Sequence, residues 1–184
     1  MIHSDYIRTN RIIAFVILIL SFIVYYKTMA PTVSYWDCGE FIAVSYTLGV
    51  PHPPGSPLFL LLGRIASLLP ISEDIAFRVN VLSPLASAFA VFFLYLSIVQ
   101  VVNHWRGKLE SSTDALVVFG AGIVGSLTFA FTDSHWFNAV EAEVYAFSTF
   151  FTAIVVWLIL LWSEKADEKG HERYILIIAY MIGL

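Results

Sequence analysis

An all-α, polytopic membrane fold is the class that this sequence predicts, on three observations. Hydrophobic residues make up 59% of the 184 residues and charged ones only 13%, against roughly 45–50% and ~25% in soluble domains. The mean hydropathy is +0.79. Four apolar runs are long enough to cross a bilayer, which takes about 20 helical residues, and the basic residues gather at alternate loops between them.

The first run, about residues 11–30, centres on IIAFVILILSFIVYY. Its Tyr25–Tyr26 pair suits a membrane interface. Thr28-Met29-Ala30 has the small-x-small form of a cleavage site, but Pro31 would follow the cut and the apolar run is long. It is therefore read as an uncleaved anchor.

The loop 31–74 is too patterned for a plain connector. Residues 37–48 have helical composition and stop at Leu48-Gly49. PHPPGSP then excludes regular structure, because each proline fixes φ and restrains the residue before it. The next stretch, LFLLLGRIASLLP, is too short to span, so about 58–69 is expected to lie near the membrane plane, like the helix before it.

A second span is expected at about 75–102, a third at 115–132 and a fourth at 144–162. A fifth begins at about 174 with YILIIAYMIGL, whose eleven residues are too few to cross. The expectation is a single transmembrane module, residues 1–184, truncated at its C-terminus.

Arg8, Arg11, Arg106, Lys108, Lys165, Lys169 and Arg173, seven of the ten basic residues, fall on one side if the N-terminus is cytoplasmic. The opposite loops, 31–74 and 133–143, hold one basic residue, Arg64, and seven carboxylates. The outer face is acidic, and chemistry is expected there. The basic residues are few and scattered, which argues against a nucleic-acid partner. A lone cysteine, Cys38, forms no internal disulfide.

GAGIVG, residues 120–125, has the spacing of a dinucleotide fingerprint. It lies inside an apolar span with no room for a βαβ unit, so its small residues are read as helix packing. Asp37 and Glu40, three apart, fit a capping box; they also share a helix face on which a base could meet an acceptor hydroxyl. Glu141 and Glu143, read on a helix, point roughly 200° apart, so at most one faces a site. With Trp136 and Tyr145 they also fit an aromatic belt with solvated acids. His52 is a turn histidine or a proton and phosphate donor. Arg78 either snorkels to headgroups or pairs with a lipid phosphate. No spacing predicts a metal site.

DCGEF, LGVPHPPGSPLF, FRVN and AVEAEVY together resemble the bacterial family called domain of unknown function 2723, within the GT-C superfamily of membrane glycosyltransferases. An endoplasmic-reticulum protein O-mannosyltransferase is its animal relative. The resemblance covers about residues 12–163, departing at Cys38, where a serine is expected. It implies a GT-C-like module with in-plane helices, in a bacterial inner membrane with its active face periplasmic. The implied reaction takes a sugar from a polyprenyl-phosphate donor to a hydroxyl of a protein or glycan, with inversion. Asp37 would be the base, and Glu40 and His52 would shape its pocket. By position, Arg78 is assigned to the phosphate, and Glu143 with Tyr145 to the substrate pocket. No cofactor beyond the lipid-linked sugar is implied, although a divalent cation is compatible with it. A transporter or lipid-sugar flippase is the rival reading, and a non-catalytic scaffold the third.

Overall fold

The computed structural model describes residues 3–107 and 111–183 and is helical throughout, with no strand among them. The all-α, polytopic class holds: four helical stretches are long and apolar enough to cross a membrane. Lys108, which entered the charge count, lies outside the described residues.

α1 (His3–Thr28) leads to two short helices, α2 (Cys38–Thr47) and α3 (Pro57–Leu68). α4 (Ile75–Asn80) and α5 (Leu82–Arg106) follow almost without a break. Pro84 explains the break, because it has no N–H to give the Asn80 carbonyl and its ring crowds that oxygen. Together they form a stretch of 32 residues. At 1.5 Å per residue it is about 48 Å long, well beyond the ~30 Å hydrocarbon core, so one end projects.

α6 (Ser112–Ala130), α7 (Asp133–Ala139), α8 (Tyr145–Glu164) and α9 (Glu172–Ile182) complete the order. The seven-residue α7 has no counterpart in the sequence reading, which ran the second outer loop directly into the fourth span. Its His135 is buried against Phe129 and Tyr25, and burial pushes the imidazole pKa down to about 4. A neutral ring packs there without an unpaired charge.

α5 is the central helix, packed by α1, α6 and α8. Tyr25, Val91, Tyr95, Val99 and Val118 lie at the heart of its core. Tyr25 is not the interfacial residue its sequence position suggested. It is fully buried, and its hydroxyl donates to the Ala130 carbonyl at 2.8 Å, closing the otherwise open end of α6. Tyr26 keeps the exposed place.

The GAGIVG segment divides into packed and open glycines. A Cβ on Gly122 would meet Val99 at 2.7 Å and the Tyr95 ring at 2.8 Å, and one on Gly125 would meet Ile98 at 2.8 Å. Nothing lies within 4 Å of the same position on Gly120. Gly122 and Gly125 let α6 close on α5, as small residues do between membrane helices.

The layer of short helices has its own core, in which Phe41, Ile42, Phe59, Leu60, Val79 and Ala142 meet. α2 and α3 approach so closely that a Cβ on Gly63 would stand 2.4 Å from the Ser45 hydroxyl. α3 turns Phe59, Leu60, Gly63, Ala66 and Ser67 inward and leaves Leu61, Ile65 and Leu68 exposed. A short helix that is apolar on its outward side too fits a seat against lipid.

Gly122→Ala should lower stability in detergent by about 1–3 kcal/mol, the usual cost of overpacking. Gly120→Ala should leave the thermal unfolding midpoint unchanged or slightly raised, and paired melting curves check the contrast.

Candidate active site

Two loops that are distant in sequence meet at one end of the bundle. The Ala30 amide donates to the Val140 carbonyl at 2.8 Å. The Asn80 side-chain amide donates to the Ala30 and Thr32 carbonyls, each at 2.9 Å. Asp74 caps α4 by accepting from the Phe77 amide. Its carboxyl is held below the usual range by hydrogen bonding, first to Thr32 and then to Phe77. Residues 30–34 are thereby tied to both α4 and the segment before α8.

That tie brings Glu141 and Glu143 inside. The chain over 140–144 is irregular, between α7 and α8, so helical spacing does not govern the two acids. Only 4% of Glu141 and 7% of Glu143 is exposed, which overturns the reading of solvated acids in an aromatic belt. The Ser34 hydroxyl donates to Glu141. The Cys38 thiol donates to Glu143 Oε1 at 3.5 Å, and the Glu143 amide bonds the Glu141 carbonyl at 2.8 Å. Burial raises the Glu143 carboxyl above the usual range against the opposing effect of the Cys38 bond, and the charges of Glu141 and Asp37 add to the rise. Burial also pushes the Cys38 thiol up, and the same two glutamates push it further.

Asp37 and Glu40 behave otherwise. Asp37 stands at the N-cap of α2 and is exposed, but its side chain makes no capping bond. Glu40 does not reach back to close a capping box. Its Oε1 accepts from the His52 amide at 2.8 Å, and its Oε2 meets His52 Nδ1 at 2.7 Å. The box fails because the proline turn offers Glu40 both an N–H and an imidazole. Hydrogen bonding to Glu40 raises the His52 pKa, and the same bonds lower Glu40. The imidazole also packs against Phe41, with ring centroids 5.8 Å apart.

The turn that returns His52 is built locally. Leu48, rather than the following glycine, takes the left-handed conformation that ends α2, at φ 54°. Gly55 at φ 84° bonds back to the His52 carbonyl at 3.0 Å, a conformation that a residue with a Cβ resists. Trp36 at φ 60° turns the chain immediately before Asp37.

Asp37, Glu40 and His52 each present one ligand atom within 4.8 Å of the others, so they could hold a divalent cation. The linear spacing predicted no such set, because it depends on the turn. The remaining assigned residues stand differently. Arg78 directs Nε to the Ser72 carbonyl at 2.6 Å and Nη1 to the Ser67 carbonyl at 2.9 Å, clasping the α3–α4 connection. Arg64 is similarly engaged with the Tyr46 carbonyl and lies over the Tyr46 ring. Tyr145 opens α8 and is 60% exposed. Glu141 and Ser34 were missed as parts of the pocket. The alternation V-E-A-E-V was the available signal, since period two is foreign to a helix.

Four membrane-length helices, with carboxylates gathered on loops at one end, define a polytopic membrane protein with a polar site at one bilayer face. Residues 37–184 match the family model described as the Protein O-mannosyl-transferase TMEM260 N-terminal domain, and the chain belongs to that family. It is 30% identical over 172 residues to the Protein O-mannosyl-transferase tmem260 of Dictyostelium discoideum, covering 91% of this chain. It is 29% identical over 148 residues, 80% of its length, to the Protein O-mannosyl-transferase TMEM260 of Mus musculus. In each case the match spans 19% of the relative. No solved structure matches.

The raised Glu143 carboxyl sets a pH test. Such an acid resists ionisation in the fold, so native stability falls as pH rises through the unfolded glutamate value, ~4.3, and levels above the folded one. Glu143→Gln keeps an oxygen for Cys38 and has no proton to lose. Its melting temperature relative to the native protein should climb across that window and then plateau. A flat difference over a pH series of thermal unfolding would contradict the assignment.

Proposed function

We propose that this chain is the N-terminal membrane module of a glycosyltransferase. It would move a sugar from a polyprenyl-phosphate donor to a hydroxyl of a protein or glycan, with inversion and with Asp37 as the base. The observation that carries this reading is the contrast between neighbouring carboxylates. Glu40 is held by His52, and Glu141 and Glu143 are buried with partners, while Asp37 stands exposed with no capping bond. The family and its named O-mannosyl-transferase relatives supply the reaction class.

In this mechanism Asp37 takes the proton of the acceptor hydroxyl as its oxygen attacks the anomeric carbon. The bond from that carbon to the phosphate oxygen breaks on the opposite side, and the lipid phosphate leaves with the electron pair. Phosphate is a competent leaving group, so position and electrostatics supply most of the rate. His52, kept protonated to higher pH by Glu40, is suited to donate to a phosphate oxygen. A second reading of the same residues has Asp37, Glu40 and His52 hold a divalent cation, which would neutralise the leaving phosphate.

Sidedness and location follow from the charge pattern and the motif resemblance. We place the N-terminus in the cytoplasm and the site on the outer face, periplasmic if the membrane is a bacterial inner one. The interiors of the four spans hold no Asp, Glu, Lys or Arg. A transport path through the bundle would call for such groups, so a surface reaction is favoured over the transporter and flippase readings.

In the full-length protein, Asp37→Asn should lower sugar transfer by about 10²–10⁴-fold, the usual share of a general base, at an unchanged melting temperature. Undiminished transfer in the folded variant would refute the base. Loss of activity with EDTA, restored by magnesium or manganese, would reassign Asp37 as a metal ligand.

A further inference from the structure

A cleft of about 1000 Å³ opens between α1, α5 and α8. α1 and α8 both pack on α5, and the floor of the cleft is the second half of α5, from Phe92 to Asn103. The acid site adjoins the end of α1 and the start of α8, whereas the cleft is walled by the first half of α1 and the last turns of α8, from Trp157 to Lys165. α8 has 20 residues and is about 30 Å long, so the two sites lie at opposite ends of the bundle. We propose that this cleft binds an anionic glycerophospholipid, with its headgroup beside Arg11 and Lys165 and an acyl chain along α5. The inference goes beyond the transferase reading and does not depend on it.

The lining divides along the helix axes as a phospholipid does. Asn10, Arg11, Gln100, Asn103, Glu164 and Lys165 gather toward the end of the bundle. Phe15, Phe92, Phe93, Leu96 and Trp157 line the stretch nearer its middle. From Asn103 to Phe92 is about 16 Å along α5, roughly half of the ~30 Å hydrocarbon core. That is the depth of one leaflet. A chain lying on the rings therefore brings its ester and phosphate groups level with the polar side chains.

Charge selects the anionic class. Arg11 and Lys165 are the basic residues of the lining and Glu164 is its acid, which leaves the cleft with a positive excess. Among the described residues neither cation has an ion pair, whereas Arg106 at the same end of α5 is paired with Asp114. Gln100 Nε2 is a donor buried with no hydrogen-bond partner, and a phosphate or ester oxygen is the acceptor that such a group needs. Asn10 Oδ1, buried in the same state, suits a headgroup hydroxyl. An apolar helix laid in the cleft would cover the rings but leave both cations without a counter-charge. Basic pockets between membrane helices at headgroup depth are suited to anionic lipids.

The test uses the full-length protein in phosphatidylcholine nanodiscs, with phosphatidylglycerol carrying a diazirine on one acyl chain as probe. Photolabel is expected on Phe92, Phe93 and Trp157. Added phosphatidylglycerol should compete, while equal amounts of phosphatidylcholine or of soluble glycerol phosphate should not. Arg11→Gln and Lys165→Gln should each weaken the competition about fivefold, the share of one basic residue near an anionic headgroup. Arg11→Lys should retain it. Arg173→Gln removes a positive charge from α9, outside the cleft, and should change nothing. Labelling absent from the cleft would show it filled by another part of the chain and overturn the proposal. Equal competition by phosphatidylcholine would reduce the cleft to an unselective lipid seam, and competition by glycerol phosphate would reduce it to a phosphate site without a chain; either overturns the proposal. A loss with Arg173→Gln as large as with Arg11→Gln would assign the effect to surface charge and overturn it too. Sugar transfer is not read in this assay, so none of these outcomes bears on the transferase reading.

Discussion

The Asn80 amide, bonded to the carbonyls of Ala30 and Thr32 beside the Ala30–Val140 backbone bond, is the constraint on which the layer of short helices depends. At the end of α1 the chain leaves helical geometry in a crowded place, and its backbone groups need new partners. Asn80 is fully buried where α4 gives way to α5, so it can serve the chain end from a rigid support. The Ala30 amide in turn fixes Val140, more than a hundred residues from Ala30 in sequence. Once both strands of chain are held there, Ser34 lies against Glu141 and Cys38 against Glu143.

This arrangement sorts the carboxylates by environment. Glu141 and Glu143 lie inside, with a hydroxyl and a thiol as partners, and repel each other enough to help raise Glu143. Asp37 and Glu40 lie at the surface of the same pocket, and Glu40 is further committed to His52. Groups of one chemical type given different surroundings take different roles. The inner pair holds the loops together, and the outer residues stay accessible. Cys38 links the two sets, since it follows Asp37 directly and bonds Glu143. A serine at this position would offer the same hydrogen bond through oxygen.

The membrane part supports this site through packing. α5 carries the contacts of α1, α6 and α8. The closest approach uses Gly122 against Tyr95 and Val99, where lipid offers no hydrophobic drive and shape must supply the attraction. The family match begins at Asp37 and continues to Leu184, thus including most of both carboxylate-bearing loops and every span after α1. The full relatives are about five times longer than the matched region.

Much of the architecture was legible in the sequence because a bilayer imposes a simple rule: an apolar run of sufficient length must satisfy its own backbone bonds as a helix. The proline turn and the helices on either side of it were legible for equally local reasons. Asp37, Glu40 and His52 were identifiable as candidates, but the bonding between Glu40 and His52 was not, since a capping box was the nearer solution on a linear reading. Tyr25 was misplaced because an aromatic pair at a span end looks interfacial until Ala130 is seen to need a donor. Glu141 and Glu143 were misread as solvated because helical spacing was applied to a segment that is not helical. By itself the sequence determined the membrane class, the apolar helices and the acidic loops between them, all consequences of composition and near-neighbour order. Tertiary structure alone decided which acids are buried and which is left open, because the first depends on contacts between residues about a hundred positions apart and the second on the proline turn that returns His52 to Glu40.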